Sequence, residues 1–116
     1  ILPLWRDCRQ IMSMQEYDLY LPLHHNDGRP VESTQITQIK KLLVDAFGGV
    51  THFPQENDGL WKLGGVTFRD KVVVLRVLAG DECDARKFFA QLRVELMRTL
   101  EQADVLIVER DVTLVS

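Results

Sequence analysis

A four-stranded antiparallel α+β sandwich with two helices on one face is the fold this sequence predicts, and three observations lead to it. Hydrophobic periodicity changes along the 116 residues in the order strand, helix, strand, strand, helix, strand. Two glycine pairs, Gly48-Gly49 and Gly64-Gly65, fall where a helix must stop and where a hairpin must turn. The run Val72-Val73-Val74-Leu75-Arg76-Val77-Leu78 is apolar on both of its faces, so something has to cover each.

Taken in order, Tyr17 to Leu23 alternates Tyr17, Leu19, Leu21 and Leu23 against Asp18, Tyr20 and Pro22, the period of a strand with one strongly apolar face. His24 to Pro30 breaks it with turn chemistry, Asp27-Gly28 accepting positive φ and Pro30 withholding a strand donor. From Ser33 or Thr34, either able to cap a helix through its hydroxyl, Ile36, Ile39, Leu42, Leu43, Ala46 and Phe47 fall at spacings of three and four. Gly48-Gly49 ends that helix. Val50 to Phe53 starts a second strand that Pro54 interrupts, and such a strand belongs at a sheet edge.

Gly64-Gly65 turns the chain back into a long third strand, so residues 50–79 form a kinked hairpin. Asp81 is placed to cap the second helix, in which Ala85, Phe88, Phe89, Leu92, Leu96 and Leu100 line one face and Arg86, Lys87, Arg93 and Arg98 the other. Val105 to Val115 is the last strand. Right-handed crossovers put the first and third strands at the centre and the second and fourth at the edges, a ferredoxin-like βαββαβ sandwich with a long hairpin between its second and third strands.

The length fits one core and leaves no room for a separate catalytic module, so residues 15–116 are read as a single domain. Residues 1–14, with Leu2, Leu4, Trp5 and Ile11, are read either as an arm that packs on a partner subunit or as a non-native extension. A net charge of -3 and a pI near 5.6 argue against nucleic acid as a partner. No apolar run approaches the roughly 20 residues that span a bilayer, and the first residues lack a secretory pattern, so the expectation is a cytoplasmic protein with no membrane partner. Cys8 and Cys83 are read as free thiols, Cys83 being kept unreactive by Asp81, Glu82 and Asp84 around it.

The pattern Phe47-Gly48-Gly49-Val50-Thr51, then Gly59-Leu60-Trp61, then a strand ending near Arg76 resembles small prokaryotic proteins with this order of elements and, more distantly, the dimeric α+β barrel proteins. It spans Tyr17 to Val115. The resemblance implies the fold and a dimer; it carries no catalytic residues across.

With Val73, Leu75 and Val77 under the helices, Val72, Val74, Arg76 and Leu78 point the other way. Burying aliphatic side chains of this size is worth about 1.5–3 kcal/mol each, which favours covering them with a second copy as a homodimer or higher homo-oligomer. The same alternation puts Asp18 and Tyr20 beside Arg76, and Glu109 is expected to join them from the last strand. Arg76 then either grips an anionic or carbonyl ligand beside Tyr20 or simply pairs with a carboxylate at an interface. Trp61 is either a stacking wall for that ligand or an interface anchor.

His24, His25 and His52 fall at opposite ends of the sheet, so no metal is expected, and the first two read as solvent-facing turn residues. His52 beside Trp61 is the candidate general base if the edge hairpin roofs a pocket. No catalytic set and no cofactor motif is recognisable. The expected role is therefore a homodimeric small-molecule-binding or regulatory module, its cavity on the open sheet face around Tyr20, Arg76, Trp61, Glu109, His52 and Asp18. Two alternatives stand beside it. One is a small cofactor-independent enzyme of the dimeric α+β barrel type acting on an activated carbonyl; the other is a structural subunit marked by apolar surface at Val94 and Met97.

Overall fold

The computed structural model describes residues 14–80 and 84–115. The expected arm or extension therefore lies outside the described residues apart from Met14, as do Cys8, Cys83 and the proposed cap Asp81. The elements are β1 (Met14–Pro22), α1 (Ser33–Phe47), β2 (Thr51–Leu63), β3 (Val66–Gly80), α2 (Ala85–Thr99) and β4 (Leu106–Val112). They form one antiparallel sheet in the order β2-β3-β1-β4, the ferredoxin-like arrangement with β1 and β3 central.

Alternation decides which face of the sheet meets the helices. Tyr17, Leu19 and Leu21 of β1 and Val73, Leu75, Val77 and Ala79 of β3 are buried with Ile39 and Leu43 of α1 and Phe89, Leu92 and Leu96 of α2. An aromatic ladder joins the layers: Tyr17 stacks on Phe89 at 4.5 Å between ring centroids, and Phe89 stacks on Phe47 at 5.3 Å. Among the described residues, no helix is long and apolar enough to cross a membrane.

Both helix starts differ from the sequence expectation. Glu32, not Ser33 or Thr34, is the N-cap of α1, and the Gln35 side chain accepts from the Glu32 amide at 3.0 Å. The reason lies just upstream: buried Val31 donates its amide to the Leu23 carbonyl at 2.8 Å, which holds the chain extended until Glu32. Asp84 caps α2 by accepting from the Lys87 amide. Gly48, in the left-handed conformation at φ 86°, closes α1 as expected.

The hairpin is longer than the rest of the sheet. Gly64 and Gly65, both at positive φ, make its two-residue turn. The register slips between Phe53 and Asn57, around Pro54, so β2 is one strand with an irregularity at the sheet edge. β1 pairs with β3 only from Val72 to Gly80, so residues 66–71 of β3 and their partners 58–63 of β2 run on as a two-stranded ribbon about 20 Å long. On the side shared with the uncovered sheet face the ribbon carries Gly59 opposite Asp70, Trp61 opposite Phe68 and Leu63 opposite Val66; its reverse carries Asp58 opposite Lys71, Leu60 opposite Arg69 and Lys62 opposite Thr67.

Candidate functional site

The uncovered face is built from the alternate residues of the central strands. Paired residues in an antiparallel ladder share a face, so Asp18 stands with Arg76 and Val108, Tyr20 with Val74 and Leu106, and Pro22 with Val72. Two features occupy this face, a charge network at one end and a pocket at the other.

The network is closed on itself. Arg76 donates from Nε to Asp18 Oδ1 at 2.8 Å and from Nη2 to Oδ2 at 3.0 Å, and its Nε lies 3.2 Å from Glu16 Oε1. Arg110 Nη1 bridges Glu16 Oε2 at 2.9 Å and Asp18 Oδ2 at 3.1 Å. Phe53 lies 5.0 Å from the Arg76 guanidinium carbon, within cation–π range. Asp18 is only 2% exposed, and the Arg76 hydrogen bonds hold its carboxyl below the usual range against the opposing effect of burial. Two cations thus answer two carboxylates, and Arg76 is engaged by protein groups.

The pocket has a volume of about 360 Å³ and lies beside the network, between the central strands and the base of the ribbon. Tyr20, Pro22 and Val72 form its floor, Leu106 one side, and Asn57 and Trp61 the other. Trp61 stacks on Phe68 with centroids 4.7 Å apart and donates from Nε1 to Asp70 Oδ2 at 3.1 Å. The indole is therefore fixed in position by one ring contact and one hydrogen bond.

The six expected site residues consequently separate into three places. Tyr20 and Trp61 line the pocket, and Asp18 and Arg76 form the network beside it. Glu109 is on the opposite, helix-covered face. It stands across from Tyr17, accepts the Tyr17 hydroxyl at 2.5 Å, and accepts Arg86 Nε at 3.0 Å. The phase of the last strand is one residue off the expectation, because Ile107 has to join Leu19 on the core side, and Arg110 takes the open-face position instead. Arg86 holds the Glu109 carboxyl down to about 2, while burial pushes the Tyr17 hydroxyl up to about 12.

His52 also faces the helices, paired with Leu75, its Nδ1 3.3 Å from Lys40 Nζ. Burial first, and then the Lys40 charge, lowers its pKa. It is not beside Trp61 and does not roof the pocket, which removes it as a base there. His25 is not solvent-facing: its side chain is 9% exposed and its Nδ1 lies 3.2 Å from the Leu100 carbonyl oxygen. Among the described residues, no three of His, Cys, Asp and Glu gather as a metal site.

Sequence reasoning missed Asp70, Pro22, Asn57 and Leu106 as pocket residues. A register for the hairpin would have found Asp70, since counting back from Arg76 in steps of two lands on it. Pro54 and the slip that follows it hide the corresponding count on β2.

The architecture recurs in solved structures of very different sequence. Divalent ion tolerance protein CutA1 from Ehrlichia chaffeensis matches with a TM-score of 0.59 at 6% identity, over 91% of this chain and 87% of that one. A phage SAM lyase in complex with S-methyl-5'-thioadenosine matches with a TM-score of 0.57 at 10% identity, over 85% of this chain and 81% of that one. At such identities the likeness establishes the fold and nothing further. No family model and no curated protein sequence matches the chain.

Proposed function

We propose that this protein is a homodimeric binding or regulatory module that holds a small molecule in the pocket on its uncovered sheet face. The observation that carries the reading is the pocket itself: about 360 Å³, within the range of small-molecule sites, apolar in most of its lining, with an indole already locked into its wall. The ribbon supports the dimer. On the side of the open face it carries Trp61, Phe68, Leu63 and Val66 beside Asp70, while its reverse is polar except for Leu60, so most of its apolar surface lies on the side a second copy would cover. The Glu16, Asp18, Arg76 and Arg110 network supports it too, because an internally neutral set of charges can be buried against its own copy without leaving one unpaired.

Native mass spectrometry of the purified protein tests the dimer and at the same time reports any ligand retained with it. A dimer, bare or carrying extra mass, is the expected result, and extra mass would report the ligand directly. A monomer at micromolar concentration would overturn the account of the uncovered face.

A further inference from the structure

Granting the binding-module reading, we infer that the pocket selects a small organic cation, its charged head against Asp70 and its apolar body against Trp61 and Tyr20. The argument is one of charge accounting. No lysine or arginine lines the pocket; its ionisable acids are Asp58, Asp70 and Asp104. Asp58 is answered by Lys71 Nζ at 3.1 Å, and Asp104 by the Arg93 guanidinium and the Val105 amide. Asp70 alone has no cation within ion-pair distance among the described residues. Its Oδ2 takes the Trp61 indole N–H, and that neutral donor leaves the carboxylate charge in place.

The basic neighbours of Asp70 are committed elsewhere or turned away. Arg69 and Lys71 flank it in sequence and so project from the other face of β3, while Arg76 is held by Asp18 and Glu16. An anionic ligand, which a free Arg76 would have suited, therefore meets a carboxylate and no cation. A hard metal ion is equally ill served, since it needs several oxygens and finds aromatic and aliphatic walls. An ammonium or similar monocation on an apolar body satisfies every surface: the carboxylate by charge, the rings by cation–π attraction, and Val72, Pro22 and Leu106 by contact.

The Trp61 indole N–H, bonded to Asp70, is a built-in reporter for the test. Its proton resonance is followed by NMR in a Trp5→Phe background, where Trp61 is the sole tryptophan, while benzylammonium, benzyl alcohol and benzoate are titrated in turn. Benzylammonium is expected to bind about tenfold more tightly than benzyl alcohol, the combined effect of one partly exposed ion pair and one cation–π contact, with benzoate the weakest. Asp70→Asn keeps an acceptor for the indole and should bring the first two probes to within about twofold, leaving benzyl alcohol unchanged. Equal or tighter binding of benzyl alcohol or benzoate by the unaltered pocket would overturn the cation assignment while leaving the pocket standing. A preference that survives Asp70→Asn would overturn the role of Asp70. Failure of all three probes to move the signal would remove the pocket, and with it the binding-module reading itself.

Discussion

Asp18 and Arg76 stand directly opposite each other on the two central strands, and their bidentate pair places an almost fully buried carboxylate in the middle of the uncovered sheet face. The arrangement is asymmetric in its exposure, since the Asp18 side chain is 3% exposed and that of Arg76 36%. Removing either partner should therefore have unequal consequences.

Arg76→Ala leaves Asp18 with Arg110 as its remaining cation and is expected to destabilise the fold by about 1–3 kcal/mol. Asp18→Asn leaves Arg76 partly in water and still near Glu16, and should cost less, under about 1 kcal/mol. Urea midpoints for the two variants decide the matter; a cost for Asp18→Asn equal to or above that of Arg76→Ala would mean that burial of the carboxylate is not the dominant effect.

The Glu109 carboxyl gives the acid limb of stability a specific source. Its folded pKa of about 2 lies below its ordinary 4.5, so the stability it contributes is present above about pH 4.5 and is lost as pH falls toward 2. Glu109→Gln should flatten the stability profile in that window. At the other extreme, Tyr17 is raised from 10.0 to about 12, so its contribution is complete below pH 10 and disappears as pH rises through 12; Tyr17→Phe should remove that alkaline decline. Thermal denaturation scanned against pH measures both, and unchanged profiles in the variants would count against these assignments.

Gly65 sits at φ 81° at the tip of the ribbon, with nothing near the position of an added Cβ. Gly65→Ala meets no clash, so its cost is conformational alone, about 1–2 kcal/mol. The loss should be confined to faster amide exchange along the ribbon, with Leu19, Leu75 and their neighbours unaffected. Slowed exchange at the ribbon would contradict the hairpin geometry.

Val74 lies between Tyr20 and Phe53 on the uncovered face and is half-buried in the single chain. Val74→Glu should be tolerated by one chain but place a desolvated charge in a face-to-face dimer, weakening association at least about a hundredfold. Sedimentation velocity with circular dichroism on the same samples reads both quantities. A Val74→Glu variant that associates as the parent does would move the interface off this face.

The sequence made the element order, the two central strands and the face of each legible because alternation in Tyr17–Leu23 has a single phase and because Arg76, the one charged residue within the doubly apolar run Val72–Leu78, assigns the phase of that strand. It failed where local patterns are degenerate. Leu106-Ile107-Val108 offers two equivalent phases, and only the pairing of Ile107 with Leu19 selects between them, which is why Glu109 and Arg110 exchanged faces. Ser33 and Thr34 are the hydroxyl caps that the sequence offers after Val31, and the tertiary hydrogen bond at Val31 moves the cap one residue earlier, to Glu32. Asp18, Tyr20 and Arg76 were found together because all three lie on strands of unambiguous phase; Asp70 was missed because the charge cluster Arg69-Asp70-Lys71 reads as solvated surface until the ribbon's register is known.

The pocket draws its floor from strands packed under two helices and its far wall from a ribbon that no helix supports. On the proposed binding role, the wall residues Trp61 and Asp70 belong to the ribbon while the floor residue Val72 belongs to the stretch of β3 paired with β1, so substitutions at the wall would alter what the pocket accepts with less effect on foldedness than substitutions at its floor.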